Sequence, residues 1–415
     1  MEEARQHSAL EPIRTSCCIA GGGPAGMMLG FLLARAGVDV VVLEKHADFL
    51  RDFRGDTIHP STLELMHELG FLEEFLQRPH QEVRRLAGQI GATRVTIADF
   101  GHVPTRCKFI ALMPQWDFLD FLADQGRGYP GFHLHMRSEV SGLIEKDGRI
   151  AGVKVETPSG PREVHADLIV GADGRKSDVR ALAQLAVDDL GAPIDVLWFR
   201  LSRLASDESQ TFGHVEAGRM LVMLNRGDYW QCAYVIAKGS FDAIQRAGLD
   251  GFRADVVELS PFLRDRMGEL ASWDDIKLLT VTVDRLRVWF KPGLLCIGDA
   301  AHAMSPIAGV GINLAVQDAV AAANILAGPL KSGTAGLEHL KAVQARREFP
   351  TRFTQRLQVM IQNRLISRVL ASRERLQAPW AVKLLNYIPA LQRIPARLVG
   401  VGVRPEHVHT PDVCG

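Results

Sequence analysis

The chain has 415 residues, 47% of them hydrophobic, enough to bury a large core and build two or three packed units. Its 48 basic and 48 acidic residues cancel, so no global charge points to nucleic acid. The polar start up to Ser16 lacks an apolar leader core, no apolar stretch reads as long enough to span a bilayer, and the six cysteines form neither a C-x-x-C pair nor a disulfide framework; a cytoplasmic protein with reduced core thiols is expected.

From the N-terminus, Thr15 to Ala20 is a short apolar run, Gly21-x-Gly23-x-x-Gly26 follows at once, and Met27 to Ala36 has helical composition until Gly37 stops it. Strand, turn and helix come in the order of a dinucleotide fingerprint. In it Gly21 makes the tight turn, Gly23 admits a pyrophosphate to the backbone and Gly26 lets the helix pack on the strand. Val38 to Leu43 reads as a buried parallel strand ending in Glu44, 18 residues past Gly26, where such folds carry an acid for ribose hydroxyls.

Further along, His133 and His135 share one face of a strand with no third ligand in sight, so no metal site is expected. His165 to Val170 reads as a strand, broken by Gly171-Ala172-Asp173-Gly174-Arg175-Lys176-Ser177, with Arg180 following. An acid beside two cations in a tight turn suits a pyrophosphate approached by side chains and backbone together. Residues 190–290 carry strand-like runs at Asp195 to Leu201, Met220 to Leu224, Tyr229 to Ala237 and Leu278 to Phe290, around a helical stretch from Phe241 to Glu269.

The most informative segment is Ile297-Gly298-Asp299-Ala300-Ala301-His302, followed by Ser305-Pro306-Ile307-Ala308-Gly309-Val310-Gly311-Ile312-Asn313. An aspartate ending a buried strand accepts hydrogen bonds from a polyol, and a glycine-rich turn entering a helix offers free N–H groups to an anion. These are the needs of a ribityl chain and a reduced isoalloxazine. Landmarks near residues 21, 173 and 299 must then converge on one cofactor, which makes the nucleotide-binding unit discontinuous. There is no G-x-S-x-G elbow, and adjacent Cys17 and Cys18 point to opposite faces of a strand, unlike a redox pair.

From Lys331 onward fourteen Lys or Arg stand against five Asp or Glu. Phe353, Leu357, Ile361, Leu365 and Val369 recur every four residues beside Arg352, Arg356, Arg364 and Arg368. This reads as a basic amphipathic helix packing its apolar stripe on the acidic remainder of the protein; the alternatives are an anionic membrane surface or attraction of a phosphorylated nicotinamide cofactor.

On these motifs the chain resembles the para-hydroxybenzoate hydroxylase-like FAD-dependent aromatic hydroxylases, the group A flavoprotein monooxygenases, over nearly its whole length. The resemblance implies an α/β fold: a Rossmann-like FAD-binding domain from 1–185, chiefly 1–75 and 105–185, and again from 291–330, an inserted substrate-binding sheet at 190–290, and a helical segment at 331–415. It places Gly21, Gly23 and Gly26 on the FAD pyrophosphate, Glu44 on the adenosine ribose, and Arg54 and Gln115 on FAD. Asp173 is implicated in FAD and nicotinamide cofactor binding, Asp299 in holding the ribityl chain, and Pro306 with Gly309, Gly311, Ile312 and Asn313 in bordering the isoalloxazine. The implied reaction uses NADH or NADPH and O₂, and a flavin C4a-hydroperoxide then hydroxylates a small phenolic substrate. Proton-carrying candidates are His302, His59 and His214; roof candidates are Trp198, Arg200, Met220, Met223, Trp230 and Tyr234. Rival readings are an FAD-dependent reductase or dehydrogenase of a lipid or isoprenoid, and a non-catalytic flavin-binding redox sensor. A tryptophan-type halogenase is disfavoured because no W-x-W segment occurs.

Overall fold

The computed structural model describes residues 10–50, 57–207, 211–374 and 376–414. Its first sheet is built from β1 (Ile13–Ala20), β2 (Val40–Glu44), β3 (Phe132–Met136), β4 (Gly160–Gly171) and β5 (Leu294–Cys296), side by side in the order β5-β4-β1-β2-β3. These five strands are parallel, with Cys17 opposite Leu168 on one side of β1 and Val40 on the other, and antiparallel strands at 139–146, 149–157 and 290–291 complete the sheet. A sheet covered on both faces needs apolar residues at every position, and Val40 to Glu44 are buried throughout.

Helix α1 (Pro24–Arg35) follows β1, starting with Pro24 at its first position, and packs on the long α2 (Gly311–Lys331). The stretch 307–331 is long and apolar enough to cross a bilayer, contrary to the sequence expectation. It is mostly buried against the sheet and α1, the position of a core helix.

A second sheet lies in the order 277–279, 194–202, 229–237, 219–225, 212–216, 85–90, 93–99. Its last two strands come from residues 85–99, far upstream of the 190–290 stretch. One face carries Leu197, Phe199, Leu221, Cys232 and Tyr234 against Phe252 and Val256 of the helix Leu249–Leu259. The other carries Val196, Trp198, Met220, Val222, Ala233 and Val235, and packs on Ile307 and Ile366. The second sheet therefore sits on the segment just before α2.

Helix α3 (Leu337–Ile361) runs into a π-helical turn, Gln362–Ile366, along the same segment. Its buried face corrects the sequence reading. Phe353 and Leu365 are 38% and 50% exposed, whereas Gln344, Arg347, Thr351, Gln355, Gln358 and Gln362 are buried. The reason is what the helix packs against: backbone groups of Asp284, Arg287, Trp289, Ala303, Ser305 and Ile307, which take their hydrogen bonds from its glutamines. Such groups need hydrogen bonds, which leucine cannot supply.

Candidate functional site

The four parallel strands β1, β2, β4 and β5 end at Gly21, Glu44, Asp173 and Asp299 or immediately before them. That is the edge where open α/β sheets bind ligands. Gly21 has φ +109°, and a Cβ there would collide with the Ala172 carbonyl and come 2.8 Å from the Asp173 Cα. A Cβ on Gly26 would overlap the Gly21 carbonyl oxygen, so α1 docks on the turn through bare backbone. Gly298 lies against Ala25 of α1, and Arg175 Nη2 reaches Asp299 Oδ2 at 3.2 Å. Three segments separated by more than a hundred residues thus meet at one crevice.

The carboxylates there differ in what they hold. Glu44 is buried and accepts from Gly22 N and His46 N, both at 3.0 Å, which ties the first turn to the end of β2. Asp173 accepts from Ser177 Oγ at 2.5 Å and from Val179 N at 3.0 Å, which ties it to the first turn of the short helix Asp178–Leu182, whose N-cap is Ser177. Burial raises its carboxyl above the usual range against the lowering pull of those bonds. Lys176 is exposed. Arg180 makes a bidentate pair with Asp284, at 3.2 and 3.1 Å, beneath the crevice. Asp299 is partly exposed, with Oδ1 beside Gly311 at the start of α2.

The wall formed by residues 305–313 has unusual backbone. Ala308 and Gly309 both have φ +62°, and α2 begins two residues later. The amides of Gly311, Ile312 and Asn313 have no acceptor among the described residues, so the positive end of a 21-residue helix opens on the crevice. Asn313 Oδ1 accepts from His59 N at 2.9 Å and Thr62 Oγ1 at 2.7 Å, while its Nδ2 donates to Thr57 O at 3.2 Å. Thr57 pairs with Leu112, and Gln115 opens the helix three residues further on. Arg54 lies outside the described residues.

The histidine candidates separate. His59 is fully buried, its Nδ1 is 2.7 Å from Val399 O, and burial lowers its pKa to about 4. His302 is buried with Nε2 2.5 Å from Asp318 and its ring against Trp289. His214 pairs across strands with Leu221, on the sheet face turned away from Ile307. Met223, Trp230 and Tyr234 share that outer core, a correction to the roof candidates; Trp198 and Met220 face Ile307. Arg200, two residues from Trp198, is exposed with its guanidinium 3.9 Å from the centre of the Tyr229 ring.

Sequence reasoning missed the support behind the site. Asp318, at 0% exposure inside α2, accepts from Gly298 N at 3.0 Å, pairs with His302 and receives Arg347 Nε at 2.9 Å. Arg347 continues to Glu406 at 3.1 Å. Burial alone would raise the Asp318 carboxyl; His302 and Arg347 outweigh it and hold it below the usual range. The signal was a lone acid in an alanine-rich helix. Around it, Gln344 spans Trp289 N and Arg287 O, and Gln355 donates to Asp284 O and Ala303 O. Gln358 and Gln362 hold Ser305.

The family model for an FAD binding domain matches residues 14–356. A 6-methylpretetramide 4-monooxygenase of Streptomyces rimosus is 32% identical over 390 residues, covering 92% of each chain.

The chain belongs to the para-hydroxybenzoate hydroxylase-like family of FAD-dependent aromatic hydroxylases.

A second relative from Streptomyces rimosus, a 12-dehydrotetracycline 5-monooxygenase/anhydrotetracycline 6-monooxygenase, is 31% identical over 81% of this chain and 67% of its own. The crystal structure of p-nitrophenol 4-monooxygenase from Pseudomonas putida superposes with a TM-score of 0.73 at 19% identity, covering 93% of this chain and 97% of that one. This aromatic hydroxylase is a monooxygenase with FAD as its cofactor. The crevice suits that group: bare backbone at the first turn, carboxylates at the ends of β2 and β5, and unpaired amides at the start of α2.

Proposed function

We propose that this hydroxylase uses NADH or NADPH and O₂ to add one oxygen atom to a phenolic substrate held between the 305–313 wall and the inner face of the second sheet. The observation that carries the reading is that Trp198, Met220 and Val222 pack with Ile307 around one apolar cluster that includes Val196, Ala233 and Val235, which brings that sheet face to the segment before the amide-lined start of α2. When bound, FAD would supply the redox chemistry between the nicotinamide cofactor and O₂.

In this reading Gly21, Gly23 and Gly26 let the backbone approach the FAD pyrophosphate, and Glu44 accepts from the ribose hydroxyls while also holding Gly22. Asp173 works through shape, since its oxygens are committed to the turn, whereas Asp299 accepts from the ribityl hydroxyls. Arg54 and Gln115 complete the cofactor contacts. Pro306, Gly309, Gly311, Ile312 and Asn313 border the ring, and the helix N-terminus stabilises negative charge that develops there. The buried Trp198 Nε1–H has no partner among the described residues, and we assign it to the substrate's phenolic oxygen.

The two Streptomyces relatives act on 6-methylpretetramide and anhydrotetracycline, so aromatics of that kind head the substrate panel. The test is turnover of the holoenzyme with NADH or NADPH under isotopically labelled oxygen gas. Label in a hydroxylated product is the expected result. Anaerobic turnover without oxygen incorporation would move the assignment to a dehydrogenase.

A further inference from the structure

The segment before α2 is strained and clamped from both sides. Ala308, a residue with a Cβ, sits at φ +62°, the left-handed region that L-residues disfavour. Within the turn a single backbone bond, Gly309 N to Pro306 O at 3.1 Å, supports it. On the upstream side Gln358 accepts from Ser305 N at 3.2 Å and donates to Ser305 O at 3.1 Å and Ile307 O at 3.0 Å. Gln362 donates to Ser305 Oγ at 2.6 Å, and that oxygen also accepts from Ile307 N at 3.3 Å. On the downstream side Thr57 Oγ1 and Asn313 Nδ2 both donate to Gly309 O, at 2.9 and 3.4 Å.

The helix is adapted to this task. Gln355, Gln358, Gln362 and Ile366 are all buried, and the π-helical turn at 362–366 keeps the last two on the packed face, where π-turns often mark functional positions. A strained backbone persists only where its surroundings over-determine it. Here the surroundings are amides from a helix fifty residues downstream.

We infer that Gln358 and Gln362 are positioning residues which, through Ser305 and Ile307, hold the strained Ala308-Gly309 turn so that the unpaired amides opening α2 stay aimed at the flavin ring. The inference rests on the proposal that the ring lies against residues 306–313. Without the clamp, Ala308 relaxes toward a right-handed conformation and the amides turn away. Reduced FAD, which carries the negative charge they stabilise, then loses more than oxidised FAD does.

The experiment compares wild-type holoenzyme with Gln358→Met, Gln362→Met and Thr57→Val, reading the FAD midpoint potential by dye equilibration and the thermal midpoint of each. Gln358→Met is expected to weaken the preference for reduced FAD about tenfold, a negative shift of about 30 mV for a two-electron couple. Gln362→Met and Thr57→Val shift it the same way by less, and serve in place of Gln358→Met if that protein fails to fold. Gln344→Met, whose amide spans Trp289 N and Arg287 O away from the turn, lowers the melting temperature and leaves the potential in place. Adding Ala308→Gly to Gln358→Met removes the strain and recovers part of the shift. An unmoved potential in all three clamp variants, or an equal shift in Gln344→Met, overturns the inference. Wild-type protein purifying without FAD would instead defeat the cofactor placement beneath it.

Discussion

Two strand-to-helix turns face the same crevice, at residues 21–24 and 298–311, and they are held in opposite ways. The first is fixed chiefly by missing side chains, with Glu44 on Gly22 as a side-chain tie: Gly21 and Gly26 let β1, β4 and α1 meet backbone to backbone. The second is fixed by side chains that are present, Asp318 on Gly298 and a row of glutamines from α3 on residues 284–307. A turn that must approach a ligand closely can be kept open locally by glycine. A long loop with unpaired backbone groups has to borrow its partners from elsewhere in the chain.

The largest expected effect falls on the second turn. Asp318→Ala leaves Arg347 buried without its nearest carboxylate and Gly298 N without an acceptor, and breaking such a pair costs about 3–5 kcal/mol. Denaturant unfolding should show that loss, with a matching fall in retained FAD; a loss under about 1 kcal/mol would mean that the network does not hold the turn. Arg347→Met together with Asp318→Leu should be less damaging than Asp318→Ala, because no charge is then stranded.

Acid should loosen the same region. The His59 imidazole is lowered by burial from 6.5 to about 4, while its backbone amide holds Asn313. Between those pH values the unfolded chain binds a proton that the folded one refuses. Stability is therefore full above pH 6.5 and falls as the pH drops toward 4, by about 3 kcal/mol in total. The difference between wild type and His59→Gln across that window isolates the contribution, and parallel pH curves would contradict it.

The smallest loss of stability is expected at the first turn. Gly26→Ala forces a methyl group into the Gly21 carbonyl and should cost about 1–3 kcal/mol as α1 shifts. Its effect on FAD should nevertheless be large, since the shift moves the backbone presented to the pyrophosphate. Retention of FAD at wild-type affinity in Gly26→Ala would show that the two turns are not equivalent partners in binding.

The same contrast explains what could be read in advance. Gly21-x-Gly23-x-x-Gly26, Glu44 and Asp299 are local patterns at the ends of apolar strands, and the structure gathers the segments that carry them at one sheet edge. Along α3 and the turn after it the apolar period does not mark the packed face, which Gln344, Gln355, Gln358 and Gln362 occupy. The roof candidates were half right for a similar reason. Alternation along a strand separates Trp198 from Phe199, but it does not say which face meets Ile307 and which meets the Leu249–Leu259 helix.

Sequence alone determined that β1, its turn and α1 form a nucleotide-binding unit, because the glycine spacing, the apolar run and the following acid act within about thirty residues. The same kind of local reading gave a second glycine-rich turn, at Gly309 to Gly311, that enters a helix. Only the tertiary structure decided what holds that second turn, since the partners of Gly298, Ser305 and Ile307 lie 20 to 57 residues away on α2, α3 and the π-helical turn that follows. Hydrogen bonds between a helix side chain and a distant irregular backbone follow no period, so nothing in the spacing of residues announces them before the chain is folded.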